Sequence, residues 1–239
     1  MIRGIWNVLT DPAVRPEWRW KTLSRLARWL MPNYRMLWPQ MAWWQDEEFN
    51  NFLRKFHEYG GYNSDRRWTI HQLCKLAKSV PGDTAECGVL EGSSSYLIAR
   101  AFPDRSHFMF DSFEGCSAPS GHDNSFFAKH TLACNENVVR ENLREFPNAY
   151  CMKGWIPDRF PEIADRRFAF VHIDVQLEQP TVDSLSFFYP RMNPGGIIVF
   201  DDYGFTTCPG ARYCIDHFMK DKPEPIVELP IGCAFIVKV

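Results

Sequence analysis

A chain of 239 residues, 45% hydrophobic and 23% charged, is long enough for one sizeable globular domain with an appendage, and its composition excludes the disordered and low-complexity classes. Its net charge of −2 is uneven: residues 1–45 hold seven Arg or Lys against two acids, which leaves −7 for residues 46–239. That main portion has no basic excess to neutralise phosphates, which argues against a nucleic-acid substrate.

The first 45 residues carry seven of the nine tryptophans: Trp6, Trp18, Trp20, Trp29, Trp38, Trp43 and Trp44. Within 18–31, Trp20, Leu23, Leu26, Ala27 and Leu30 recur at helical spacing, with Arg19, Arg25 and Arg28 among the polar positions. This pattern predicts a basic amphipathic helix, which Pro32 and Pro39 interrupt. Such an extension suits packing on the main domain, contact with a second subunit in a homo-oligomer, or contact with a membrane surface. No apolar run reaches the roughly eighteen residues of a membrane span. The N-terminus also lacks the apolar core and cleavage site of a secretory signal, so the expected compartment is the cytoplasm.

Two helices follow, over Asp46–Tyr59, ending at Gly60-Gly61, and from Ser64 to Val80. After Pro81 short apolar strands alternate with amphipathic helices. Strands are predicted at Thr84–Val89, His107–Asp111, Ala149–Lys153, Phe168–Asp174 and Gly196–Asp201, and helices near Ser94–Phe102, Glu136–Phe146, Val182–Met192 and Ala211–Lys220. Two last strands, Pro225–Leu229 and Cys233–Val239, flank a Pro-Ile-Gly turn that suggests a hairpin. The alternation predicts an α/β fold, a doubly wound and mostly parallel sheet over 46–239 with helices on both faces. Of the eight cysteines, Cys87, Cys151 and Cys233 lie in strand-like runs and none forms a CxxC or Cys/His zinc spacing, so reduced thiols are expected.

In such a sheet a ligand sits at the carboxyl ends of the strands. The first strand runs into ExGxxxG, Glu86 to Gly92, followed by serines that open a helix. Its spacing differs from the GxGxxG of dinucleotide binding and favours S-adenosylmethionine over NAD. The second strand ends in Asp111, placed to accept hydrogen bonds from ribose hydroxyls. The fourth ends in Asp174 and the fifth in Asp201-Asp202; with these strands beside the first, three carboxylates would meet at the ligand edge. That oxygen-only cluster suits Mg²⁺. The alternative for each acid is to cap the helix that follows it.

The motifs AECGVLEGSSS, FMFDSFEG, KGWIPDRFP, FVHIDVQLEQPTVDSLSFFYPRMNPGGIIVFDDYG and the tail from Pro209, in this order, resemble the macrocin/mycinamicin-type O-methyltransferases over roughly residues 60–239. The resemblance implies a class I methyltransferase fold, S-adenosylmethionine as donor and dependence on a divalent metal. It implies that Glu86, Gly88, Glu91, Gly92 and Ser93 form the donor loop, with Asp111 and Ser112 on the ribose and Gly154, Trp155 and Asp158 near the adenine. Asp174, Asp201 and Asp202 would hold Mg²⁺.

One departure stands out. The family commonly reads DVDLY where this chain has Asp174-Val-Gln176-Leu-Glu178, and an amide cannot take the acceptor's proton as the second acid would. Three readings stay open: metal activation with water, Glu178 or His122 taking the proton; a more acidic acceptor such as a vicinal phenol; or an impaired site. The expectation is a Mg²⁺-dependent O-methyltransferase acting on a hydroxyl of a sugar or glycosylated small molecule, with a phenol or catechol as second choice. Its rivals are a non-catalytic S-adenosylmethionine-binding protein, suggested by Gln176, and a nicotinamide oxidoreductase, disfavoured by the turn spacing.

Overall fold

The computed structural model describes residues 14–31, 41–61 and 63–239, which fall into two compact units, Met1–Lys55 and Phe56–Val239. In the first unit, helix α1 spans Val14–Leu30 and, after a 3₁₀ turn at Ala42–Gln45, helix α2 spans Glu47–Lys55. Trp6, Pro32, Trp38 and Pro39 lie outside the described residues, as does the side chain of Trp18. Along α1, Leu23, Leu26, Trp29 and Leu30 are exposed, while Ser24 is buried and bonds back to the Lys21 carbonyl. Asp46 caps α2 by accepting the Phe49 N–H at 3.0 Å. Acids in its first turn and Arg54 and Lys55 in its last complement the helix dipole. The helix predicted to reach Tyr59 ends at Lys55, and His57 follows in left-handed backbone.

The second unit carries a seven-stranded sheet. Its strands are β1 (Asp83–Cys87), β2 (His107–Asp111), β3 (Ala149–Lys153), β4 (Phe168–Ile173), β5 (Met192–Phe200), β6 (Val227–Glu228) and β7 (Ala234–Val237). The order is β3-β2-β1-β4-β5-β7-β6; the first five are parallel, and β7 runs antiparallel to both β5 and β6. The helices are α3 (Ser64–Ala77), α4 (Ser93–Ala101), α5 (Glu136–Asn142), α6 (Glu178–Phe188) and α7 (Pro209–Met219). α3 packs beside α4 and α6 beside α7. Every residue of β4 is buried, as a central strand covered on both faces requires. Its Phe168, Val171 and Ile173 share a core with Leu185 and Phe188 of α6 and Ile215 of α7. Each such fully buried side chain stabilises the fold by about 1.5–3 kcal/mol.

The chain leaves β1 outward through β2 and β3, then returns to lay β4 and β5 on the other side of β1. The crevice where the strand order reverses therefore opens between the carboxyl ends of β1 and β4. The parallel ladder carries past the strand ends: the Asp174 N–H donates to the Cys87 carbonyl at 2.8 Å and the Asp201 N–H to the Ile173 carbonyl at 3.0 Å. Those two bonds fix both acids at the ligand edge.

Candidate active site

A cavity of about 780 Å³ opens at this edge, a volume suited to a small ligand. Its wall includes Val89, Ser93, Asp111, Trp155, Asp174 and Asp202. The β1 turn reaches it because Gly88 adopts φ +81° and passes so close to the Asp174 carbonyl that a Cβ there would overlap it. Gly92, at φ +86°, starts α4 and lies against Leu143.

Asp111 ties the turn to the end of β2. Its Oδ2 accepts the N–H groups of Val89 (2.7 Å) and Leu90 (3.1 Å), and its Oδ1 that of Phe113 (2.7 Å). Ser112 lines the wall and accepts the Glu114 N–H; Glu91 lines it from the exposed turn. Ser93 donates to Glu58, whose two oxygens also take the Nε–H of buried Arg67, and Arg67 in turn donates to Ser94. Glu86, at the foot of the turn, also lines the cavity. Buried beneath the turn, it accepts from Ser95 Oγ with one oxygen and bonds His172 Nδ1 at 2.7 Å with the other. After β3, Trp155 and Ile156 line the cavity, whereas Gly154 and exposed Asp158 lie off its wall.

The strand-end acids form one electrostatic unit. Donor atoms of His172, Asp174 and Asp201 lie within 4.8 Å of one another, with Asp202 outside that grouping. Asp202 lines the cavity instead and accepts the Gln176 N–H at 2.9 Å. Burial and the neighbouring Asp201 and Asp202 push the Asp174 carboxyl well above the usual carboxylate range. Burial and Asp201 raise Asp202 to about 6. Asp201 goes the other way: burial opposes ionisation, but Arg66, His172 and Arg67 outweigh it and hold the carboxyl below the usual range. His172 is fully buried, which would lower its pKa, yet the carboxylates of Asp201 (3.3 Å) and Glu86 (2.7 Å) raise it to about 10, which favours the protonated ring. Neither Asp174 nor Asp202 caps a following helix; α6 begins after Leu177 and α7 after Cys208, without a side-chain cap from either acid.

These residues fit a hard divalent cation. Burial and neighbouring acids raise two wall carboxyls above the usual carboxylate range, and the buried Asp201 Oδ2, 2.8 Å from Arg66, makes no directed hydrogen bond. His172, as an imidazolium, offers no lone pair to such an ion.

Gln176 lies at the cavity wall in left-handed backbone, φ +58°, with its Nε2 donating to Asp174 Oδ1 at 2.6 Å. Glu178 and His122 are brought together, but not toward the cavity. His122 donates its backbone N–H to Glu178 at 2.5 Å, its ring lies 3.1 Å from the same carboxylate, and that ring stacks on Tyr213. Arg66, Arg67 and His172 were absent from the site read in the sequence. The usable signal was Arg66-Arg67 in the first turn of α3, where a helix dipole disfavours cations unless carboxylates face them.

A family model described as macrocin O-methyltransferase (TylF) matches residues 68–237. The chain belongs to the macrocin O-methyltransferase family. Among curated members of that kind, a Streptomyces olivaceus protein named 8-demethyl-8-(2,3-dimethoxy-alpha-L-rhamnosyl)-tetracenomycin-C 4'-O-methyltransferase is 31% identical over 57% of this chain and 58% of its own length. The demethyldecarbamoylnovobiocin O-methyltransferase of Streptomyces niveus is 29% identical over 60% of each chain. The mycinamicin III 3''-O-methyltransferase of Micromonospora griseorubida is 30% identical over 64% of this chain and 67% of its own. The match thus spans about three fifths of the first two relatives' length. Among solved structures, the O-methyltransferase NovP superposes with a TM-score of 0.63 at 26% identity, over 73% of this chain and 79% of that one. The calicheamicin methyltransferase CalS11 shares the fold at a TM-score of 0.66 and 19% identity, over 95% and 93%. The macrocin O-methyltransferase fold is therefore the class I methyltransferase sheet with its antiparallel closing hairpin.

Proposed function

We propose that this chain transfers a methyl group from S-adenosylmethionine to a hydroxyl of a sugar or glycosylated small molecule, with Mg²⁺ at the Asp174, Asp201 and Asp202 cluster. The observation that carries the reading is the meeting of two features on one cavity wall: the glycine turn tied to Asp111, and a pair of carboxyls that a cation would relieve. Asp111, Ser112 and Trp155 hold the donor, Asp111 exchanging backbone partners for ribose hydroxyls. Phe126, Phe127 and Phe205 on the wall suit an acceptor with an apolar body beside its reacting hydroxyl. The rhamnosyl group in the name of the Streptomyces olivaceus relative supports a sugar hydroxyl.

When bound, the cation would lower the acceptor's pKa and neutralise charge in the transition state. The protein's part is to align hydroxyl and sulfonium methyl and to keep the cluster in place. The Gln176 amide steadies Asp174 and is no proton acceptor. With Glu178 and His122 turned to each other, the acceptor's proton passes to water in the cavity.

A labelled-methyl assay over sugars, glycosides and phenols, with Mg²⁺ and with chelator, tests the reading. Transfer to a glycoside that stops in chelator is expected; equal transfer in chelator would remove the metal from the account. For α1 we assign contact with an anionic membrane surface, because Arg19, Lys21, Arg25 and Arg28 accompany its exposed Leu23, Leu26, Trp29 and Leu30.

A further inference from the structure

Arg66 is the cavity-wall cation nearest the acid cluster, and its setting is unusual. Its Nη1 lies 2.8 Å from Asp201 Oδ2, with Arg66 only 13% exposed and Asp201 not exposed at all. Yet Asp201 Oδ2 and the Arg66 Nε both lack a hydrogen-bond partner. The pair is close but not aligned as a fork, so charge rather than a directed bond holds it. The guanidinium also lies 5.2 Å over the Phe205 ring, which keeps it at the wall. The other positive group of the cluster, His172, is fully buried and shared with Glu86, and so cannot move aside. Arg66 is thus the one of the two that can yield.

We propose that Arg66 is the resident counter-ion of the Asp174, Asp201 and Asp202 cluster, an internal competitor that a divalent cation must displace. Without a metal it adds to His172 in compensating the buried Asp201. With one, it stands at the oxygen the metal needs, and two cations at that separation repel. The chain therefore binds divalent ions more weakly than its three carboxylates alone would. Gln176 acts in the same direction, since an amide removes a negative charge from beside Asp174. This inference rests on the metal reading above.

Mn²⁺ titration followed by electron paramagnetic resonance separates the two, with the full-length chain, Arg66→Gln, Arg66→Lys and Asp201→Asn. Arg66→Gln should bind Mn²⁺ at least tenfold more tightly than the parent protein. Arg66→Lys, which keeps the charge, should stay within about threefold of it. In thermal unfolding, Arg66→Gln should melt lower than the parent in chelator and gain more from Mg²⁺. Equal or weaker Mn²⁺ binding by Arg66→Gln overturns the inference, as does Arg66→Lys binding as tightly as Arg66→Gln. If Arg66→Gln is insoluble in chelator, recovery with Mn²⁺ is the expected result, and insolubility in both conditions makes Arg66 purely structural. If neither the parent nor any Arg66 variant takes up Mn²⁺ at millimolar concentration, the metal reading itself fails and the inference falls with it.

Discussion

At the scale of single residues, Gln176 and His172 decide how the site is charged. Gln176 pays for a left-handed backbone that few non-glycine residues adopt, and from it bonds both flanking acids: its N–H reaches Asp202 and its amide reaches Asp174. Replacing it with Asp would set a carboxylate where the amide now donates. We expect Gln176→Asp to lower the melting temperature in chelator, to enlarge the Mg²⁺-dependent recovery, and to shift the acidic limb of the kcat/KM profile, because a proton acceptor now stands at the wall. An unchanged profile would mean that no base at this position matters. His172 gives a second test. Its folded pKa of about 10 lies above its ordinary 6.5, so the stabilisation it contributes is full below pH 6.5 and is lost as pH rises through 10. Denaturant unfolding should show stability declining over that window, and His172→Gln, less stable at pH 6.5, should flatten the slope. The strand-end carboxylates were legible in the sequence because an acid closing an apolar run has few structural uses. Arg66 and the burial of Glu86 were not, because both depend on which helix lies over which strand.

Among the elements, short strands closed by a charged residue kept their predicted ends, while several helix ends shifted. β2 and β3 have the ends read from the sequence, since each is a short apolar run closed by a charged residue. α6 begins at Glu178, four residues before the predicted Val182, because Pro180 is tolerated in a first turn whose N–H groups need no intrahelical partner. The first of those groups, on Glu178, is satisfied from a distance by Asp123 Oδ1 at 2.9 Å, a contact no local reading could supply. α6 then gives way at Tyr189, the residue before Pro190. α1 was legible as an amphipathic helix, and its exposed apolar side leads to a direct expectation. The full-length chain should sediment with vesicles containing anionic lipid and not with zwitterionic ones, and a Leu26→Ser, Trp29→Ser variant should lose most of that binding. Retention of neither protein on anionic vesicles would discard the assignment.

For the molecule as a whole, the order of elements after Pro81 carried the fold, because strand–helix alternation leaves few right-handed, doubly wound arrangements. The side-by-side placement of β1, β4 and β5 then made the site predictable as a location, though not as a charge distribution. The central claim is that the cavity at this edge binds the adenosyl methyl donor through Asp111. Calorimetry with S-adenosylmethionine, S-adenosylhomocysteine and NAD on the parent protein and on Asp111→Ala tests it most directly. Both adenosyl ligands should bind at one site per chain, at least tenfold more weakly to Asp111→Ala, and NAD should give no heat. Binding of NAD with neither adenosyl ligand taken up would contradict the account.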